Sequence, residues 1–190
     1  MRPDFSSIEV VSAALPSAKN WAARYQFLKP LQAASMCDIQ DAQARDNTSL
    51  GFFRPKDILD IETEAEESPT WAHGETAKLA QRDLFLTTEK KLLEKIPVSF
   101  YYRFRCDGCR NKDPHRMKIL DWELAELWRK DRRTHDEVAT IARVKHRYLD
   151  ELCAADIDTH FFTGNMGRYP SSFLVLGVFW PKKSKQTELF

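Results

Sequence analysis

Apolar and polar residues alternate most regularly at Val98-Ser99-Phe100-Tyr101-Tyr102-Arg103-Phe104-Arg105. A period of two predicts a strand with Phe100, Tyr102 and Phe104 turned to the core and Tyr101, Arg103 and Arg105 on the opposite side. Two shorter strands are expected over Ser49–Phe53 and Lys56–Thr63, divided by Arg54-Pro55, with Leu59, Ile61 and Thr63 sharing a side. Residues 158–163 and 172–180 read as closing strands joined through Gly164–Ser171, and the apolar run Phe173–Trp180 predicts a strand central in its sheet.

Helical spacing is found elsewhere. Trp21, Tyr25 and Leu28 recur at three to four residues before Pro30, and Ser35 with Asp38 marks a helix start that Asn47 can end. Ile119–Lys130 places Leu120, Leu124, Leu127 and Trp128 on one stripe, with Asp121 suited to the helix start. Thr134 and Glu137 have capping-box spacing and open a helix expected to bury Val138, Ile141, Tyr148, Leu149 and Leu152. A strand over 7–14 and one or two short helices over 75–95 complete the pattern.

These elements predict an α+β protein: a mixed N-terminal lobe of short strands and helices over 1–63, and a lobe over 77–190 with an antiparallel or mixed sheet, two amphipathic helices and a Cys-x-x-Cys knuckle. The acidic stretch Glu62-Thr63-Glu64-Ala65-Glu66-Glu67-Ser68-Pro69 reads as part of a linker, placed at 64–76. At 190 residues with 43% hydrophobic content the chain holds enough apolar mass for a real core, so wholly disordered classes drop out.

The formal charge is only +1, yet it is unevenly spread. Residues 1–89 carry 9 basic and 14 acidic side chains, residues 90–147 carry 16 and 9, and residues 148–190 carry 4 and 5. A basic middle beside an acidic front suggests either a polyanion-binding patch or ordinary solvated helix faces. The candidate nucleic-acid contacts are Tyr101, Arg103, Arg105, Arg110, Lys112, Arg116, Lys118, Arg132 and Arg133, with Arg129 and Lys130 beside them. Lysine and arginine neutralise phosphates, and Tyr101 is suited to stack on an unpaired base, in DNA or RNA.

Four cysteines, Cys37, Cys106, Cys109 and Cys153, are too sparse for a disulfide-built secreted scaffold and point to a reducing compartment. With no signal-peptide pattern and no apolar run of membrane-spanning length, a cytoplasmic protein with no membrane partner is expected. Cys106-Asp107-Gly108-Cys109 followed by His115 gives three candidate zinc ligands within ten residues. Reduced thiols in a turn and a redox pair are the competing readings. Closing a structural site needs a fourth ligand, with His135, His146, Cys153 and His160 as candidates.

If one position held water instead, hydrolysis would become conceivable, with Asp121 or Glu123 as base. Helical geometry opposes a shared ion between Asp121 and Glu123, because residues two apart point about 200° from each other. His160 with Asp158, Asn165 and Arg168 forms a further candidate cluster, against the simpler reading of a strand histidine bonded to the backbone. Neither Gly-x-Ser-x-Gly nor a phosphate-cradling glycine loop occurs. The expected function is nucleic-acid binding without catalysis, through a basic surface that zinc stabilises. The alternatives are an interaction subunit that meets another protein of a larger complex, and a metal-assisted nuclease or hydrolase.

Overall fold

A computed structural model of the chain describes residues 9, 12–68, 70–71, 93–110 and 112–183. Among these, four α-helices and two sheets form an α+β fold. The helices are α1 (Ala18–Leu28), α2 (Met36–Asp46), α3 (Trp122–Asp131) and α4 (Glu137–Lys145), the last running on into a π-helical segment, His146–Glu151. The strands are β1 (Gln32–Ala33), β2 (Leu50–Phe53), β3 (Asp57–Ala65), β4 (Val98–Arg105), β5 (His115–Lys118), β6 (His160–Met166) and β7 (Tyr169–Phe179). One sheet is mixed, in the order β1-β2-β6-β7, and the other is antiparallel, β3-β4-β5.

Helix α2 begins and ends where the caps dictate. The Ser35 hydroxyl accepts from the Asp38 amide at 3.2 Å, and Asn47 takes the left-handed conformation at φ 57°. Helix α3 is capped by Asp121, whose carboxylate accepts from the Glu123 amide at 2.8 Å. The predicted cap of the next helix is corrected: Asp136, not Thr134, accepts from the Ala139 amide at 2.7 Å. Val138, expected to be buried, is 78% exposed, while Tyr148 and Leu152 are buried as expected.

Strand β3 pairs with β4 and β2 pairs with β6, so the front of the chain is woven into both sheets. Residues 64 and 65, assigned to a linker by composition, are strand residues paired with Ser99 and Val98. A register shift between Ile58 and Asp60 leaves Leu59 40% exposed while Ile61 is fully buried, so the two do not share a side. Strand β7 stands last in its sheet rather than centrally, although an isolated bridge from Ile119 to Val175 joins it to the end of β5. The strand expected over 7–14 lies largely outside the described residues, as do the helices expected over 75–95.

The core lies where the two sheets meet. Phe100, Tyr102 and Phe104 are buried on the inner face of β4, as their alternation requires. The Phe161 ring stands 4.6 Å from Tyr102, 5.5 Å from Phe104 and 5.8 Å from Phe53. Full burial of one such ring contributes about 1.5–3 kcal/mol. The Tyr102 hydroxyl donates to the Tyr148 carbonyl at 2.7 Å, so the one polar tip in this cluster has a partner.

Candidate metal centre and the charged sheet face

Strand β4 ends at Arg105 and hands the chain to Cys106, after which Gly108, at φ 63°, turns the backbone towards Cys109. The chain returns as β5, whose first residue, His115, lies opposite Phe104. The two rings stack with centroids 5.1 Å apart, which fixes the imidazole against the strand that delivers the thiols. One ligand atom each from Cys106, Cys109 and His115 lies within 4.8 Å of the other two, a group that could hold a metal ion. His115 Nε2 is 3.1 Å from Cys109 Sγ.

The electrostatics suit ligand atoms that have been taken out of water. Burial holds the His115 imidazole below its ordinary value, favouring the neutral form that coordinates metal. Burial also pushes the Cys106 thiol up to about 11, with the nearby Cys109 and Cys37 sulfurs adding to the rise and the Met36 backbone opposing it. A metal bound here must displace that proton.

Cys37 stands in the first turn of α2, buried, with Sγ 2.6 Å from Cys109 Sγ. Short sequence spacing gives Cys37 no place among the candidate ligands, because Cys109 lies 72 positions away. The four residues weighed as a fourth ligand have other partners: His135 with Thr134, His146 with Asp150, Cys153 with the Tyr148 carbonyl and His160 with the Asp158 carbonyl.

The basic residues divide into two sets. Tyr101, Arg103, Arg116 and Lys118 do share the outer face of the three-stranded sheet, and Glu62, Glu64 and Glu66 lie on that face too. Glu62 meets Arg103 at 3.3 Å and Arg116 at 2.6 Å, Glu64 meets Arg116 at 2.5 Å, and Glu66 meets Lys118 at 2.7 Å. The Arg116 guanidinium covers the Tyr101 ring at 3.6 Å, on the face expected to receive a base. Arg110 makes a two-pronged contact with Asp41 of α2 at 2.7 Å, and Lys56 meets Asp107 at 2.9 Å.

Arg105, Lys112, Lys130 and Arg133 are exposed and make no salt bridge among the described residues, although Asp57 lies opposite Arg105 in the β3–β4 register. Arg132 donates to the His135 carbonyl at 2.6 Å, and Arg129 bonds both Glu126 at 2.7 Å and the Glu94 carbonyl at 2.8 Å, so neither is a free cation. The guanidinium and ammonium groups are therefore divided between cross-strand pairs and a smaller unpaired set.

Asp121 does not face Glu123 across an ion. It caps α3 and shares a hydrogen bond with the Tyr148 hydroxyl, and burial raises its carboxyl above the ordinary value. His160 is fully buried; its Nδ1 lies 2.8 Å from the Asp158 carbonyl and its ring stacks on Phe52 at 5.0 Å, while Asp158 pairs with Arg54 at 2.7 Å. This is the backbone-bonded strand histidine. Asn165 turns to the Pro170 carbonyl within its own hairpin.

Among the described residues, no helix is long and apolar enough to cross a membrane. No curated protein and no solved structure matches the chain. Residues 32–190 match the family model described as "Domain of unknown function (DUF8757)", which takes in α2, all seven strands and every candidate ligand; the chain belongs to that family.

Proposed function

We propose that the chain is a zinc-binding protein without catalytic activity, in which Cys106, Cys109 and His115 hold the metal and the loop they shape serves as a binding surface. The observation that carries this reading is the convergence of three soft or borderline donors within 4.8 Å. Zinc favours tetrahedral sulfur and nitrogen donors, whereas calcium and magnesium require oxygen. Stacking on Phe104 and burial keep the imidazole neutral and oriented, and the turn at Gly108 brings the second thiol back towards the first. Metal analysis of protein purified without added zinc tests this. About one zinc per chain is expected, with loss in Cys106→Ser and Cys109→Ser; metal-free protein that stays empty when zinc is supplied would sink it.

Nucleic acid is the partner favoured for that surface, on one observation: Arg105 and Lys112 flank the metal loop, exposed and outside any salt bridge among the described residues. Phosphates would meet these two groups, with Lys130 and Arg133 as further contacts. Binding of labelled single- and double-stranded oligonucleotides should weaken steeply with salt and weaken again in the Arg105→Ala/Lys112→Ala double variant. Affinity that is absent at low salt, or indifferent to salt, would favour the protein-partner reading. That alternative has its own support in Leu50 and Leu176, which are 67% and 38% exposed and flank Gly164 on the outside of the four-stranded sheet.

A further inference from the structure

We propose that Cys37 is the fourth ligand, completing a closed Cys3His zinc site that clamps helix α2 to the β4–β5 hairpin. This rests on the zinc reading above and extends it from three residues on one hairpin to a site spanning two distant parts of the chain. The Cys37 and Cys109 sulfurs are 72 positions apart in sequence and 2.6 Å apart in space, and Cys109 is in turn 3.1 Å from His115 Nε2. Cys109 thus lies between Cys37 and a ligand of the three-residue group, whose donor atoms all fall within 4.8 Å. Sulfurs around a tetrahedral zinc stand roughly 3.8 Å apart, from Zn–S bonds of about 2.3 Å. Binding therefore asks the Cys37 and Cys109 side chains to separate by about an ångström, and asks the Cys37 sulfur, which falls outside the 4.8 Å group, to swing in towards the other two ligands.

Two further observations place α2 at this site independently of the sulfur contact. The Met36 backbone lies near enough to the Cys106 thiol to oppose its upward shift, so the same helical turn that carries Cys37 also adjoins a second ligand. Arg110, the residue after Cys109, holds Asp41 one turn further along α2 in a two-pronged ion pair. Charge fits as well. Three thiolates, one neutral imidazole and one zinc ion carry a net charge of −1, and they would stand beside the positive end of the α2 dipole and close to the Arg110 guanidinium that pairs with Asp41.

The chemical consequence is closure. Four protein ligands leave zinc no open position for water, so the site is structural and the hydrolase reading loses its nucleophile. Zinc would instead hold the first turn of α2 against the loop that bears Arg105 and Lys112, ordering the surface assigned above to nucleic acid.

Cobalt(II), loaded in place of zinc on the full chain under reducing, anaerobic conditions, tests the inference, because the near-ultraviolet thiolate-to-cobalt band scales with the number of bound sulfurs. The wild type should take up one cobalt with a three-thiolate band. Cys37→Ser should lose about a third of that intensity and bind at least tenfold more weakly, while Cys153→Ser leaves the spectrum unchanged. A Cys37→Ser spectrum and affinity equal to wild type, with Cys106→Ser abolishing uptake, would overturn the fourth ligand and leave the three-residue zinc reading standing. No uptake by the wild type would overturn both. A Cys37–Cys109 disulfide in protein prepared under reducing conditions would also overturn it. Should Cys37→Ser fail to fold, Cys37→His decides: retained cobalt with the band lowered by a third supports the site, and an undiminished band refutes it.

Discussion

The two sheets bury the same kind of inner face and finish their outer faces differently. In the four-stranded sheet, the exposed side keeps apolar side chains, with Leu50 and Leu176 flanking Gly164. In the three-stranded sheet, Glu62, Glu64, Arg103, Arg116 and Lys118 form rows across β3, β4 and β5, one sign matched against the other. Both sheets deliver aromatic rings to a shared centre around Phe161. The difference separates what holds the fold from what specifies it. Aromatic burial supplies most of the energy, while half-exposed ion pairs are individually weak and mainly fix register and strand order.

The largest effect should come from the ring that joins the two sheets. Phe161→Ala removes a fully buried side chain in contact range of Phe53, Tyr102 and Phe104, and should cost about 3–5 kcal/mol in denaturant unfolding. A loss below about 1 kcal/mol would mean that the sheets do not depend on a common core.

Metal removal comes next and should act on one side of the comparison. With zinc at a hundredfold its Kd, stripping it costs about 2.7 kcal/mol, a fall of roughly 1 M in the urea midpoint for an m-value of about 2–3 kcal/mol/M. Hydrogen exchange should rise in α2 and the β4–β5 hairpin and stay near its starting level in β6 and β7. Uniform loosening of both sheets would contradict the local clamp.

Acid should act on the other side, through His160. Burial holds its imidazole below the ordinary value, and Nε2 has no hydrogen-bond partner among the described residues, so the folded state keeps the ring neutral. The unfolded chain takes up a proton near pH 6.5. The stability contributed by the neutral ring is therefore present above that pH and is lost as pH falls through the native value, at a slope approaching 1.4 kcal/mol per unit between the two. Chemical denaturation of the metal-free protein from pH 7.5 to 5 should show the slope, reduced in His160→Gln; an unchanged slope in the variant would assign the titration elsewhere.

The smallest effect is expected at Glu62, which meets both Arg103 and Arg116 on a half-exposed surface. Glu62→Gln should cost under about 1 kcal/mol, and less in high salt. It also releases the Arg103 guanidinium, while Arg116 keeps Glu64, so oligonucleotide affinity should rise at low salt if the nucleic-acid reading is right. Unchanged affinity would confine phosphate contacts to the cations that already stand outside any salt bridge among the described residues.

Local chemistry was legible where one element could express it alone. The alternation of Phe100, Tyr102 and Phe104 specified the inner face of β4, and Ser35, Asp38 and Asn47 bracketed α2. The acidic stretch carries two signals, charge that favours a linker and a period that favours a strand, and at residues 64 and 65 the strand prevails. Glu62, Glu64 and Glu66 recur every second residue, the spacing of a strand, and their charge is matched only once β4 and β5 lie alongside. Thr134 carries cap chemistry, but the hydrogen bond from the Ala139 amide goes to Asp136, two residues on.

The sequence by itself determined the α+β class, the inner face of β4 and a three-residue Cys/His group, because residue type and short spacing settle each within a few turns of chain. Tertiary structure alone decided which cations meet acids and which cysteine stands beside Cys109. Those are contacts between residues tens of positions apart, and sequence distance carries no information about them until the strands pair and α2 docks.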